Sequence, residues 1–243
     1  MYLGFFDLRT LVDGGARKGQ GDVNAATGGF NHMATDAMVG MPGSALKVTR
    51  ASNSRDDRVG GFGTGWSFDY DMAYKTNSGG DVSVVFGDGH REVFTHFPDG
   101  SYRPALSGYW STLVPRGGGG CVLTQKDRTA FAFNSAGKLL TITDRNGFKN
   151  TMAYNASGKL ATVTASPSGR SLTFTWVGER VTAVSTDTVA AYGRAMTWTY
   201  TYTGGLLTKV CKPRDNTPNP ALCVTYTYAG NRLAKSPAAN ASH

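Results

Sequence analysis

The chain has 243 residues, of which 40% are apolar and 17% are charged, which is typical of a folded protein with a sizeable core and argues against a disordered chain. The formal net charge is +8, and the 25 basic residues are scattered along the sequence. Because no basic run or basic helix gathers them, we expect no nucleic-acid partner.

The N-terminal residues 1–21 are predicted to be an irregular segment. They begin with MYLGFFDLRT, which lacks a basic n-region and is interrupted by Asp7, so no signal peptide is visible. No stretch approaches the roughly 20 apolar residues that a membrane span requires, and we expect none.

The most used residue types favour strands and turns. The sequence contains 32 Gly, 28 Thr, 12 Phe and 11 Tyr but only two Glu, at positions 92 and 179. Threonine and aromatic residues suit a pleated, half-buried surface, and glycine supplies turns. The composition therefore predicts an all-β fold.

The first glycine-rich motif, GFGTGW at 61–66, has the spacing of a phosphate-binding loop. Such a loop needs the N-terminus of a following helix. Here the next residues are SFDYDMAY, whose alternating aromatics predict a strand. We therefore predict a turn or bulge, with Trp66 packed in the core.

The next motif, GDGHREVFTHF at 87–97, brings together Asp88, His90, Glu92 and His96. Strand alternation places the two histidines on one face unless a bulge intervenes. A metal or acid–base cluster is one interpretation. The favoured interpretation is that they are polar residues on a solvated hairpin, because no third ligand spacing or activating motif accompanies them. The sequence predicts no catalytic, cofactor-binding or metal-binding residues, and no enzyme.

From about residue 127 the chain repeats itself five times, each copy having an alternating strand, a turn with Gly or Asn, and an aliphatic residue. Gly137 and Gly158 occupy the first two turns, where a positive φ is easily adopted. The aromatic residues that end the strands are Phe133, Tyr154, Trp176, Tyr202 and Tyr228. The aliphatic residues that follow them are Leu139, Leu160, Val181, Leu207 and Leu233.

A second aliphatic residue follows three positions later in four copies, for example Val163 after Leu160. A step of three places these two side chains on opposite faces of a regular strand. Either a bulge intervenes or both faces are partly covered. Each copy is one hairpin that cannot bury its aromatic face alone.

Two cysteines, Cys211 and Cys223, bracket the Pro/Asn-rich loop CKPRDNTPNPALC. At the two ends of a hairpin loop, their Cα atoms could lie within the roughly 4.4–6.8 Å that a disulfide tolerates, and a disulfide would imply an oxidising compartment. Two free thiols are the alternative.

The order of motifs resembles the YD-repeat proteins of the Rhs family, relatives of the teneurin and insecticidal toxin-complex shells. Before the repeats, ATGGFNHMATDAMV (26–39), LKVTRASNS (46–54) and GFGTGWSFDYDMAY (61–74) carry the resemblance. Within the repeats, Tyr154, Tyr202 and Tyr228 match the family's tyrosine, and Phe133 and Trp176 stand in its place in the other two copies. The acid that follows the tyrosine is absent, its positions being Asn134, Asn155, Val177, Thr203 and Ala229.

The resemblance implies successive antiparallel hairpins in one extended, curved, open shell-like sheet. Residues 22–126 would be the β-region preceding the repeats, 127–236 the repeat hairpins, and 237–243 a disordered tail. The chain would be a non-catalytic wall segment of a secreted or cell-surface protein, with flanking shell sequence and an enclosed C-terminal toxin or effector as partners. Alone, its last hairpin would leave an unpaired edge and favour self-association.

A cell-surface carbohydrate-binding repeat module is the alternative function. Rows of Tyr and Trp exposed on a flat sheet would stack on sugar rings. If the same aromatic side chains are instead buried between the repeats, a structural wall segment is the better interpretation.

Overall fold

A computed structural model of the chain describes residues 22–24, 29–40, 45–53, 57–106, 108, 110–189, 193–213 and 223–235. Every regular element among them is a β-strand, and the strand pairings are antiparallel. The predicted all-β fold is confirmed. The predicted irregular segment 1–21 and tail 237–243 lie outside the described residues.

Twenty-three strands follow one another along the described residues. The first ten are β1 (Asp22–Asn24), β2 (Gly29–Val39), β3 (Leu46–Asn53), β4 (Val59–Gly60), β5 (Gly63–Thr64), β6 (Trp66–Phe68), β7 (Ala73–Thr76), β8 (Val82–Val85), β9 (Arg91–His96) and β10 (Tyr102–Pro104). The next seven are β11 (Thr112–Pro115), β12 (Cys121–Thr124), β13 (Ala130–Phe133), β14 (Leu139–Thr143), β15 (Lys149–Tyr154), β16 (Leu160–Ser166) and β17 (Ser171–Val177). The last six are β18 (Arg180–Thr186), β19 (Thr197–Thr203), β20 (Leu206–Cys211), β21 (Cys223–Thr225), β22 (Thr227–Ala229) and β23 (Arg232–Lys235).

The strands divide among several open sheets rather than the single sheet that the resemblance implied. The largest contains 11 strands, β11 to β21, in the order of the sequence, as expected for successive hairpins. Two four-stranded sheets have the orders β1-β2-β3-β6 and β10-β9-β8-β7, and β4-β5 and β22-β23 form two-stranded sheets.

The chain separates into two compact units. The first comprises Met1–Gly40, Ala45–Phe68 and Phe174–His243, and the second comprises Met41–Ser44 and Asp69–Thr173. The first unit combines early and late parts of the chain, so the two units are not consecutive stretches of the sequence. The sequence boundaries at residues 22, 127 and 237 stay a prediction.

A β-bulge is present in four of the repeat hairpins. In the second repeat, Ala153 faces Thr162 while the next residue, Tyr154, faces Leu160, so one residue of β16 is unpaired. The same shift occurs in the hairpins β13–β14, β19–β20 and β22–β23. The extra residue returns Leu160 and Val163 to one buried face, with 5% and 0% exposure. The structure thus adopts the bulge, one of the two alternatives that the sequence left open.

The GFGTGW segment forms a tight turn between β4 and β5 and packs onto the third repeat. The backbone N–H of Val181 donates a hydrogen bond to the carbonyl oxygen of Gly61 (2.9 Å). A Cβ atom on Gly61 would lie 2.7 Å from the ring of Trp176, so only glycine allows this approach. Trp66, which follows the turn, is buried as predicted.

Replacing Gly63 by alanine is expected to destabilise the protein by about 1–3 kcal/mol. Gly63 has a φ of +100°, and a Cβ there would lie 2.8 Å from the carbonyl oxygen of Gly205. Urea unfolding monitored by circular dichroism measures the loss. Gly117→Ala is the control, because a Cβ at Gly117 meets no atom within 4 Å. Equal effects of the two substitutions would contradict the prediction.

Candidate functional site

An ion pair between a buried Arg50 and a largely buried Asp36 carboxylate joins β2 and β3 in the first unit. Arg50 is 1% exposed, and its Nε and Nη2 atoms donate hydrogen bonds to the two carboxylate oxygens of Asp36 at 2.5 and 2.8 Å. Asp36 lies at a register shift of β2, between residues that pair with the adjacent positions Thr49 and Val48 of β3. The bulge provides a carboxylate opposite the guanidinium, and the pair is bidentate, the strongest common form of ion pair.

Aromatic rings surround the guanidinium of Arg50. Its Cζ atom lies 4.6 Å from the ring centroid of Trp66 and 5.6 to 5.8 Å from the centroids of Tyr226, Phe62 and Tyr200. The Nη2 atom also donates a hydrogen bond to the hydroxyl oxygen of Tyr226 (3.1 Å). These rings supply cation–π attraction in a site from which water is excluded. We call the ion pair and these rings the arginine centre.

Arg50, in the arginine centre, keeps its positive charge at all ordinary pH values. Burial lowers the pKa of Arg50, but the Asp36 carboxylate and the tyrosine hydroxyls raise it, and the resulting pKa lies well above its usual value. The hydroxyl of Tyr200 donates a hydrogen bond to Asp36 Oδ2 (3.0 Å). Burial and the neighbouring carboxylate raise the pKa of Tyr200 well above its usual value, so this hydroxyl stays neutral.

His32 completes the surroundings of the centre. The side chain is 3% exposed, and its ring meets Trp66 and Tyr226 edge to face, with centroids 5.9 Å apart in each pair. Burial lowers the pKa of His32, and the positive charge of Arg50 lowers it further, while Asp36 opposes this. The imidazole is therefore neutral in the folded protein at neutral pH.

The repeat tyrosines connect each repeat to the preceding one. The hydroxyl of Tyr154, in the second repeat, donates a 2.7 Å hydrogen bond to the carbonyl oxygen of Leu139, the aliphatic residue of the first repeat. Tyr202 and Tyr228 make the equivalent bonds, also at 2.7 Å, to Val181 and Leu207. In all three cases the acceptor is the aliphatic position of the repeat before. These contacts explain physically why the tyrosine recurs.

The two repeats without tyrosine contact the region that precedes the repeats. The ring of Phe133 lies edge to face with Tyr74, with centroids 5.8 Å apart, and the backbone N–H of Tyr74 donates to the carbonyl oxygen of Gly137 (3.1 Å). Trp176 packs against Gly61. Packing against an early segment thus replaces the hydroxyl bond in these two repeats.

The arginine centre is also bonded to the last repeat. The indole Nε1 of Trp66 donates a hydrogen bond to the hydroxyl oxygen of Tyr228 (3.0 Å), which itself donates to Leu207. One hydrogen-bond network therefore connects Trp66 of β6 with Tyr228 of the fifth repeat and Leu207 of the fourth.

The structure also describes the repeat glycines and aliphatic residues. Gly137 and Gly158 have φ values of 80° and 71°. The five aliphatic positions are all buried, namely Leu139, Leu160, Val181, Leu207 and Leu233.

Cys211 and Cys223 lie directly opposite each other on β20 and β21, with their sulfur atoms 2.09 Å apart, a bonded distance. Their Cα atoms are 4.0 Å apart, closer than the expected range of roughly 4.4–6.8 Å, because the two residues are directly paired across the strands. Formation of this bond in an oxidising compartment stays a prediction. The third cysteine, Cys121, is buried on β12.

Among the aromatic side chains that the structure describes, Trp110 alone is highly exposed, at 71%. The ammonium group of Lys126 lies 5.2 Å from its ring centroid. The aromatic residues on the repeat strands are buried or half-buried. The described residues thus contain no row of exposed aromatic rings.

Sequence reasoning missed the arginine centre, although a signal was present. In LKVTR, alternation places Leu46, Val48 and Arg50 on one face, and all three are buried. For the second motif, the structure brings Asp88, His90 and Glu92 together but leaves His96 apart, with its ring against Tyr102.

Comparisons with known proteins add the following findings. Residues 20–94 match a family described as a domain of unknown function (DUF6531). No curated protein matches the chain. The crystal structure of TcdB2-TccC3-Cdc42 is similar at 16% identity with a TM-score of 0.36, and that of TcdB2-TccC3 without its hypervariable C-terminal region at 17% and 0.36. Each comparison covers 88% of this chain but only 14% of the other. The described residues include no helix that is long and apolar enough to cross a membrane.

Replacing Asp36 by asparagine should reduce the free energy of unfolding by about 3–5 kcal/mol, because it leaves Arg50 as an uncompensated buried charge. Urea unfolding measures the effect. The double variant Asp36→Leu with Arg50→Met should recover much of the loss, since it buries no charge. As a control, Asp99→Asn alters a solvent-exposed pair with Arg103 (3.7 Å) and should leave the unfolding midpoint nearly unchanged.

Stability should fall between about pH 10 and pH 12 through the repeat tyrosines. Burial raises the pKa of Tyr154 to about 12. An unfolded tyrosine ionises near pH 10, so the folded state holds its proton over a range in which the unfolded state has lost it. The contribution is complete below pH 10 and is lost as the pH rises to 12.

Tyr154→Phe should therefore flatten the alkaline part of the stability profile, and it should lower stability at pH 7 by about 1 kcal/mol through loss of the bond to Leu139. Unfolding curves from pH 7 to 12 measure both effects. An unchanged alkaline slope in the variant would argue against the assignment.

Proposed function

We propose that the chain is a non-catalytic wall segment of an Rhs/YD-repeat shell that encloses, and helps deliver, a C-terminal toxin or effector. The observation that carries the proposal is the tyrosine contact from each tyrosine-bearing repeat to the repeat before it. Such nearest-neighbour coupling is how repeat proteins build extended surfaces from units that are unstable alone.

The two faces of the repeat strands also suit a wall. On β19, Trp198 and Tyr200 are buried, while the alternating Thr199, Thr201 and Thr203 are exposed. One face of the strand is therefore apolar and covered, and the other presents small hydroxyl groups to solvent. A carbohydrate-binding module would instead favour exposed aromatic platforms.

The partners follow from the proposed role. Flanking shell sequence would continue the hairpins, and the cargo would lie behind the wall. A full-length protein that is secreted or carried on the cell surface agrees with the bonded pair Cys211–Cys223, because disulfides persist in oxidising compartments.

The proposal predicts that the wall protects the C-terminal region of the full-length protein from proteolysis. Limited proteolysis, followed by mass spectrometry of the C-terminal fragments, should show slow cleavage in the wild type. Asp36→Asn, which destabilises the first unit, should accelerate cleavage of that region by at least tenfold, since the transiently open form becomes more populated.

Asp99→Asn should leave the cleavage rate unchanged, because the pair that it alters is exposed and the Asn oxygen can still accept the hydrogen bond from Ser101 N–H. If the C-terminal region is cut as fast in the wild-type protein as when it is produced alone, the chain does not enclose it and the proposed function is wrong.

A further inference from the structure

The turn between β8 and β9 holds a histidine in a fixed orientation. The Nδ1 atom of His90 lies 2.6 Å from the Oδ1 atom of Asp88, which also accepts a hydrogen bond from the backbone N–H of His90 (3.0 Å). The ring of Phe86 stacks on the imidazole, with centroids 3.9 Å apart. The contact with Asp88 favours the tautomer that carries its proton on Nδ1 and leaves a lone pair on Nε2.

A buried carboxylate faces that lone pair. Glu92 points toward the core from β9, like Phe94 two residues later, and is only 5% exposed. Its Oε1 atom lies 3.8 Å from His90 Nε2, and its Oε2 atom is buried without a hydrogen-bond partner. The sequence favoured a solvated position for this group. A buried carboxylate oxygen without a partner is unfavourable unless a positive group compensates it.

Two acceptors therefore face each other at a distance that suits an intervening cation. In the neutral imidazole whose Nδ1 proton faces Asp88, Nε2 carries the lone pair that a metal ion needs, and Glu92 Oε1 is a second potential ligand atom. A Zn²⁺ ion binds imidazole nitrogen at about 2.0–2.1 Å and carboxylate oxygen at about 2.0–2.2 Å. At a tetrahedral angle these bonds separate nitrogen and oxygen by roughly 3.4 Å, so closing by about 0.4 Å would fit the ion.

We propose that His90 and Glu92 bind a divalent transition-metal ion of the Zn²⁺ class, with Asp88 as a positioning residue. A carboxylate that holds the far nitrogen of a metal-binding histidine is the usual outer partner in zinc sites. No three side chains of the ligating types are arranged around one point in the described part of the chain. The site therefore offers two protein ligands, and water completes the coordination.

Isothermal titration of the purified protein with Zn²⁺, after treatment with a chelator, tests the proposal. His90→Ala and Glu92→Gln should each raise the dissociation constant at least tenfold. His96→Ala is the matched control and should change it less than twofold, because the ring of His96 packs on Tyr102 instead.

Two further measurements separate binding from folding. Glu92→Gln keeps the size and shape of the side chain but replaces the carboxylate ligand, so the metal-free protein should stay folded while stabilisation by Zn²⁺ is abolished. Asp88→Asn should weaken Zn²⁺ binding by roughly 10- to 100-fold and should alter the visible absorption of bound Co²⁺.

The proposal is wrong if the wild-type protein does not bind Zn²⁺. It is equally wrong if binding persists unchanged in both His90→Ala and Glu92→Gln, since the ion would then lie elsewhere.

Discussion

The first unit depends on the buried ion pair between Arg50 and Asp36. Burying a guanidinium without a counterion would be too unfavourable. The packing of β3 against the aromatic rings therefore requires the bulge that presents Asp36 to Arg50. Tyr200 and Tyr226 bond to this pair, and Trp66 bonds to Tyr228. Hydrogen bonds with residues early in the chain thus hold the late repeats in place. Such bonds are directional, so they fix these positions more specifically than a purely apolar core would.

The repeats follow a simpler rule that allows substitution. A tyrosine both fills space and donates to the preceding carbonyl, whereas the ring of Phe133 packs on Tyr74 and that of Trp176 packs against Gly61. The substitutions occur where an early segment contacts the repeat, through Tyr74 in one case and Gly61 in the other. Loss of the hydroxyl is tolerated at these positions because another part of the chain covers the repeat.

Alternation of residue types was sufficient to predict the fold class and the strand positions of the repeats. It could not decide the bulge, because a three-residue step between Leu160 and Val163 has two structural solutions. Alternation puts Arg50 on the face of Val48 and Glu92 on the face of Phe94, but the charge of both residues is more typical of solvent-exposed positions. Whether a charged residue at an inward position is buried depends on a partner elsewhere in the chain, and sequence spacing does not reveal partners such as Asp36.

The bond between Cys211 and Cys223 joins two residues that already face each other across β20 and β21. It fixes the registry of these strands independently of the 11 residues between them. Because the entropy of closing a loop grows only slowly with its length, this segment can be lengthened with little effect on the sheet. The position is accordingly suited to the insertion of a peptide tag or a small folded domain, and it is a place where related sequences can diverge in length while the strands on either side keep their pairing.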